Sequence, residues 1–144
     1  MNVFQTEYEA RLQNWHNLKE KIRNLETQEK CILVDNWWQN APVVNYFLHI
    51  SDVVNWPDPW ELLVENSYCY IARALGMCYT LYMTGVNDLV LVEASDNMGN
   101  DVILVLVDDA KYILNYWPDT VVNSCLQDFK IKRNIDIAIL LQKL

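Results

Sequence analysis

The chain has 144 residues, of which 52% are apolar and 21% charged, a profile that indicates one packed domain and excludes a disordered tail. Only three glycines occur, so a glycine-rich loop that cradles phosphates is disfavoured. The formal net charge of −8 disfavours direct contact with nucleic acid. It leaves two interpretations: simple solubility, or mimicry of a nucleic acid on the basic surface of another protein.

The N-terminal segment has a helical period. Apolar residues recur at steps of three and four, which predicts an amphipathic helix over residues 1–30. Thr6 and Glu9 have the spacing of a capping box at its start. The apolar stripe suits either a partner helix or the chain's own core, and the core is the simpler interpretation.

The next segment is apolar and interrupted by a proline. Residues 31–38 are predicted to form a helix that stops at Ala41-Pro42, because the residue before proline resists helical geometry. Residues 43–56 contain β-branched and aromatic side chains and are predicted to run extended over the surface.

A pair of helices is predicted over 58–85. Asp58 suits the N-cap, Pro59 the first helical position and Glu61 the capping box. The second helix, capped by Asn66 or Ser67, is apolar nearly all round and is therefore predicted to be central. One face carries mostly small side chains, so another element can approach its backbone closely. Gly85 is predicted to end it.

The second half of the chain has strand signals. A three-stranded antiparallel meander is predicted over 88–117, and residues 128–144 are predicted to add a strand and an apolar tail that is helix or strand. The prediction is one α+β domain over 1–144. Its N-terminal helices and a buried central helix pack on an antiparallel meander sheet of three to four strands.

Metal, cofactor and membrane sites are not expected. The four cysteines lack metal-site spacing, and the N-terminus is unlike a secretory leader, so we expect reduced cytosolic thiols. The acidic loop 96–101 lacks the glutamate that an EF-hand needs at its twelfth position, which favours a plain hairpin turn. The least polar stretch, 68–83, is too short to span a bilayer.

Cys69 is the main candidate for chemistry. It is predicted in the first turn of the buried helix, where free N–H groups and the helix dipole favour a thiolate. A cysteine so placed before an antiparallel sheet resembles papain-like and transglutaminase-like thiol enzymes. The resemblance implies a base histidine at the start of a following strand and an Asp or Asn on the next.

The strand positions that match this resemblance hold Asp101 and Asn115. They are predicted to face each other across the hairpin, and with Cys69 they are the candidate catalytic residues. No histidine is present there, so the thiol lacks its proton acceptor unless His49 folds back from upstream.

The six tryptophans are many for this length. Because tryptophan is enriched at protein interfaces, four of them are candidate interaction residues. Packing in the core is the other interpretation, and it is the preferred one because each indole ring buries a large area. The four candidates are Trp15, Trp37, Trp38 and Trp117.

Several segments resemble a family of small tailed-bacteriophage proteins. The matching motifs are Trp-Pro-x-Pro-Trp-Glu-Leu from Trp56, Tyr68-Cys69, Leu-Gly-Met-Cys-Tyr-Thr-Leu from Leu75, Trp-x-x-Ala-Pro-Val from Trp38, and the Val-Asp-Asp turn from Val107. The resemblance implies a viral protein in the cytoplasm of a bacterial host or in the virion, and it specifies no mechanism.

The leading hypothesis is therefore a non-enzymatic phage protein that binds other proteins, as a virion or assembly component or as an inhibitor of a host system. A protein partner is expected, including a further copy of the chain, with no direct nucleic-acid or membrane contact. The alternatives are a transglutaminase-like thiol enzyme that uses Cys69, and an acidic nucleic-acid mimic.

Overall fold

The computed structural model describes residues 2–44, 48–116, 122–123 and 128–144, and it confirms the predicted α+β class. Five α-helices occur in the described residues: α1 Tyr8–Ile22, α2 Thr27–Trp38, α3 Pro59–Glu65, α4 Tyr70–Met83 and α5 Ala138–Leu141. Short 3-10 helices span Val3–Gln5 and Ile50–Asn55. No helix in the described part of the chain is long and apolar enough to cross a bilayer.

The strands form one antiparallel sheet with the order β4-β3-β2-β1-β5. The predicted meander is present as β1–β3. The predicted C-terminal strand is β5, which pairs with β1 at the opposite edge, and the two-residue β4 extends the sheet beyond the expected three to four strands. The strands are β1 Leu89–Ser95, β2 Asp101–Val107, β3 Tyr112–Leu114, β4 Val122–Asn123 and β5 Lys130–Ile135.

Helix α4 is the centre of the molecule, as its apolar composition predicts. Every residue from Ile71 to Leu81 is buried, because α1–α3 cover the helix from one side and strands β1 and β2 from the other. The residues between the helices and the sheet form one large hydrophobic cluster. A second, smaller cluster contains Val92, Ala94, Leu104, Leu106 and Ile113 of the sheet.

The face of α4 that carries small residues receives Trp38. A Cβ atom at Gly76 would lie 2.6 Å from the Trp38 ring, so only glycine allows this approach. The indole N–H groups of Trp15 and Trp38 both donate to the Thr80 hydroxyl oxygen, at 2.9 and 3.0 Å. That hydroxyl donates in turn to the Gly76 carbonyl at 2.8 Å. One side chain thus anchors α1 and α2 to α4.

The predicted helix over 1–30 is replaced by two helices. A continuous helix of this length would be roughly 45 Å long, and both α1 and α2 instead turn to pack on the same core. The predicted capping box is also absent, because Thr6 donates its hydroxyl to the Val3 carbonyl and the N-cap of α1 is Glu7, which forms no side-chain cap.

Two further local predictions are corrected, while the capping box at Asp58 is present. Residues 43–56 are not extended throughout, since Ile50–Asn55 is a 3-10 helix; residues 45–47 of that segment lie outside the described ones. The N-cap of α4 is Cys69 rather than Asn66 or Ser67. Asn66 instead ends α3 in a left-handed conformation with φ of 53°.

We expect Thr80→Val to lower the free energy of unfolding by about 2–4 kcal/mol, since it leaves two buried indole N–H groups without an acceptor at about 1–3 kcal/mol each. Urea denaturation measures the change. Thr84→Val is the matched control, because that buried hydroxyl donates only to carbonyls of its own helix. Equal costs for the two variants would contradict a special role for Thr80.

Candidate functional site

Cys69 lies at the start of α4, one residue earlier than a first-turn position. Its backbone is extended, with φ of −105° and ψ of 176°, and its Sγ atom accepts a hydrogen bond from the Ala72 N–H at 3.4 Å. The residue is only 1% exposed. The chain at Val44 lies over this helix start, because its N–H donates to the Tyr68 carbonyl at 2.6 Å. The Cys69 thiol therefore caps the start of α4 and is shielded from solvent.

Cys31 and Cys78, two other free thiols of the described chain, are inert by burial. Desolvation raises the pKa of each to about 12, and for Cys31 the nearby Asp35 carboxylate raises it further. Neither thiol ionises at neutral pH in the folded chain, so both are packing residues. Cys125 lies outside the described residues.

Asp101 is the first residue of β2, the position where the thiol-enzyme resemblance implies the base histidine. Its side chain is 60% exposed, and its carboxylate forms an ion pair with the Lys132 ammonium group on β5. The charge at the base position is thus already engaged by a cation of the same chain.

Asn115 directly follows β3 and joins three elements. It is buried, and its backbone is left-handed with φ of 66°. Its side-chain oxygen accepts from Arg73 Nε at 2.7 Å, and its amide group donates to the carbonyls of Ile103 and Tyr70. Its backbone N–H donates to the Asp35 carboxylate at 2.9 Å.

The predicted pairing of Asp101 with Asn115 across the hairpin is not present. Pairing runs from Val107 with Tyr112 to Val105 with Leu114, and this register places Asn115 level with Leu104 rather than with Asp101. Asn115 therefore reaches the Ile103 carbonyl rather than Asp101.

Both residues instead line one cavity of about 410 Å³, which we call the Arg73 cavity. Its lining is Tyr70, Arg73, Asp96, Asn100, Asp101, Val102, Ile103, Asn115 and Tyr116. Cys69 does not line it.

His49 does fold back toward the sheet. It lines a neighbouring cavity of about 290 Å³ together with Glu93, Asp101 and Ile71. Its carbonyl accepts the Trp56 indole N–H at 2.9 Å, which anchors this part of the chain. The structure thus brings His49 to a space shared with Asp101.

Arg73 is a site residue that the sequence analysis did not select. It is 8% exposed, and its guanidinium carbon lies 5.1 Å from the centre of the Tyr70 ring. Burial lowers the pKa of Arg73, while Tyr70 and Asp35 raise it; a guanidinium stays protonated in proteins. The available signal was that Arg73 is the one charged residue of a helix otherwise suited to the core.

The tryptophan candidates divide by burial. Trp15 and Trp38 are fully buried, so this fold leaves them no surface to offer a partner and gives them the alternative core role. Trp37 is half-buried on the outer side of α2, where its indole N–H donates to Asn14 at 2.7 Å. Trp117 lies outside the described residues.

No family model and no curated protein sequence matches the chain. Its fold is similar to solved structures of LapG from Legionella pneumophila, a transglutaminase-like cysteine protease. One LapG structure aligns with a TM-score of 0.73 and 15% identity, and the match covers 92% of this chain and 77% of LapG. The calcium-bound LapG structure aligns with a TM-score of 0.75 at the same identity and coverage.

This likeness supports the transglutaminase-like layout and does not support the phage family. In the described parts of this chain, no group of three or more His, Cys, Asp or Glu side chains could hold a metal ion.

We expect Asn115→Gly to destabilise the domain by about 2–4 kcal/mol, because buried partners in α4 and β2 lose hydrogen bonds while glycine keeps the left-handed backbone free of strain. Chemical denaturation measures the loss. Asn97→Gly in the exposed hairpin turn is the control. A cost below about 0.5 kcal/mol, the size of an ordinary surface change, would show that these hydrogen bonds contribute little.

Stability should also fall at alkaline pH through Cys78. The raised pKa keeps this thiol protonated in the folded chain up to about pH 12, whereas the unfolded thiol ionises above its ordinary pKa of 9.0. The contribution of the buried thiol to the free energy of unfolding is therefore fully present below pH 9. Above pH 9 the free energy of unfolding falls by about 1.4 kcal/mol per pH unit for each such thiol. Cys78→Ala should show a correspondingly shallower decline in urea unfolding from pH 8 to 10.5. Parallel curves would contradict the shift.

Proposed function

We propose that this chain is a transglutaminase-like domain that binds a protein partner and does not catalyse acyl transfer. The observation that supports this most is the residue at the base position. Asp101 occupies the strand start where the thiol-enzyme resemblance implies a histidine, and its carboxylate is paired with Lys132. A carboxylate is a poorer proton acceptor for a thiol than imidazole is, because general-base catalysis favours a group with a pKa near the working pH.

The environment of the thiol supports the same conclusion. A nucleophile must come within roughly 3–3.5 Å of the carbon that it attacks. Cys69 is 1% exposed and its Sγ atom is turned to the Ala72 N–H of its own helix, so a substrate carbonyl has no direct approach to it. The Arg73 cavity, by contrast, is open, and Asp101 and Asn115 both line it.

The proposal of a protein partner continues the hypothesis drawn from the sequence. The domain carries a net charge of −8, and Tyr70 at the cavity is 49% exposed, the kind of side chain that is enriched at protein interfaces. The partner that we propose is another protein, including a further copy of this chain. Viral origin rests on the sequence resemblance alone.

A second candidate function is a thiol enzyme with an unusual base, and the position of His49 is the observation that favours it. His49 shares a cavity with Asp101. In this alternative the chain at Val44 moves away from the helix start, and Cys69 Sγ attacks an amide carbon while His49 takes the thiol proton. His49 then protonates the leaving amine, and water hydrolyses the thioester to a carboxylate and the free thiol.

Alkylation by iodoacetamide across pH 5–10, followed by mass spectrometry of each cysteine, separates the two candidates. We expect Cys69 in the native protein to react no faster than a model thiol and His49→Ala to leave its rate unchanged. Cys31 and Cys78 should react only in urea, which serves as the internal control.

A thiol enzyme would give the opposite result. Cys69 would react at least about tenfold faster than a model thiol near neutral pH, as low-pKa thiolates do. His49→Ala would remove that advantage. This outcome would overturn the non-catalytic proposal, and peptide hydrolysis lost in Cys69→Ser would establish the enzyme.

A further inference from the structure

The Arg73 guanidinium has unused donors inside a cavity. Its Nε atom donates to Asn115, and its two terminal nitrogens form no hydrogen bond with any described residue. The residue is more than nine-tenths buried and lies in the cavity wall. The terminal nitrogens are not among the buried polar atoms that lack a partner in the described residues, so their N–H groups can be reached from the cavity by water or by a ligand.

Neighbouring side chains fix the orientation of the Arg73 guanidinium. Asn115 fixes the Nε side and the Tyr70 ring lies beside the guanidinium plane, at 5.1 Å from its carbon. Asp35 lies beyond Asn115, whose backbone N–H it accepts, and its charge helps to stabilise the buried cation. The two terminal nitrogens therefore present parallel N–H groups, the geometry that pairs with a carboxylate.

The cavity also carries the opposite charge. The Asp96 carboxylate accepts from the N–H groups of Asn100 and Met98, each at 2.9 Å, and the bond from Asn100 is the main cause that lowers the pKa of Asp96. These hydrogen bonds hold the negative charge of Asp96 on the turn between β1 and β2. Asp101 lines the same space but is engaged by Lys132.

A ligand with only a carboxylate would meet Arg73 favourably and Asp96 unfavourably. A ligand that also carries a cationic group gains at both ends, and it suits a domain with a net charge of −8. The volume of about 410 Å³ holds a group of amino-acid size, because small-molecule sites span about 300–1,000 Å³.

We propose that the Arg73 cavity binds a carboxylate on the Arg73 guanidinium, with a cationic group of the same ligand beside Asp96. This is the chemistry of a free basic amino acid or of a peptide whose C-terminal residue is basic. The proposal rests on the proposed function, since it makes the cavity a binding site rather than the place of an acyl-transfer base.

Four probes test it by calorimetry and by the NMR signals of the Arg73 and Asn115 side chains: acetyl-Ala-Lys, its C-terminal amide, acetyl-Ala-norleucine with a free C-terminus, and free lysine. We expect the amide to bind at least about tenfold more weakly than acetyl-Ala-Lys, since a charge-assisted bidentate pair is lost. The norleucine peptide should bind about threefold to tenfold more weakly.

The remaining comparison identifies the source of the ligand. Tighter binding of acetyl-Ala-Lys than of free lysine assigns the site to a peptide C-terminus, and the reverse assigns it to a free amino acid. Equal binding of acid and amide overturns the proposal. So does the absence of any response up to about 10 mM, a concentration that detects millimolar dissociation constants.

Asp96→Asn tests the second half of the site without disturbing Arg73, because an amide oxygen can still accept the N–H groups of the turn. We expect it to abolish the preference for lysine over norleucine and to leave the preference for acid over amide. Asp109→Asn, in the other hairpin turn, is the control and should change neither. An unchanged lysine preference in Asp96→Asn would remove Asp96 from the site.

The two proposals fail in different ways. A reactive Cys69 that depends on His49, together with intact carboxylate binding, would reject the non-catalytic function and keep the Arg73 site. An inert Cys69 with no response to any probe would do the reverse.

Discussion

The hydroxyl oxygen of Thr80, shared between two tryptophans, is the contact on which the rest of the arrangement depends. Trp15 and Trp38 come from different helices and are both fully buried, and each donates its indole N–H to this one oxygen. A hydroxyl has two acceptor lone pairs, so it satisfies both donors and leaves its own proton for Gly76. The contact fixes α1 and α2 on the central helix, and the absent side chain of Gly76 makes room for it.

The position of α2 then determines the site. Asp35 lies on α2 and accepts the backbone N–H of Asn115, whose side chain in turn accepts from Arg73. One asparagine thus joins a buried carboxylate to a buried guanidinium. Such hydrogen bonds offset the cost of removing the two charges from water. The tryptophan anchor and the Arg73 cavity are therefore parts of one structure, with α2 as the link.

The fold and the chemistry of this domain point in different directions. The layout is similar to a transglutaminase-like protease over 92% of the chain, yet a fold does not define an activity. Cys69 caps its own helix and is buried. The positions where the thiol-enzyme resemblance implies a base and its orienting residue hold Asp101, which pairs with Lys132, and Asn115, which accepts from Arg73. The cavity beside these residues is lined by the Arg73 guanidinium and by Asp96, whose carboxylate accepts the N–H groups of its own turn. Their opposite charges are the basis of our proposal that the cavity recognises a charged ligand.

Local interactions determined the features that the sequence alone predicted. The capping box at Asp58, the buried character of α4 and the hairpin turns each depend on residues a few positions apart, so the α+β class followed. Features that depend on contacts between residues far apart in the sequence were decided by the tertiary structure. The turn between α1 and α2 exists because both helices contact α4, α2 by packing and α1 through Trp15. The register of β2 with β3 places Asn115 level with Leu104 rather than Asp101. Arg73 reads in the sequence as a lone charge in an apolar helix, and only the fold places Asn115 and a cavity beside it. The physical reason is that a side chain's neighbours across the core are set by the packing of whole elements, which a pattern along the chain does not contain.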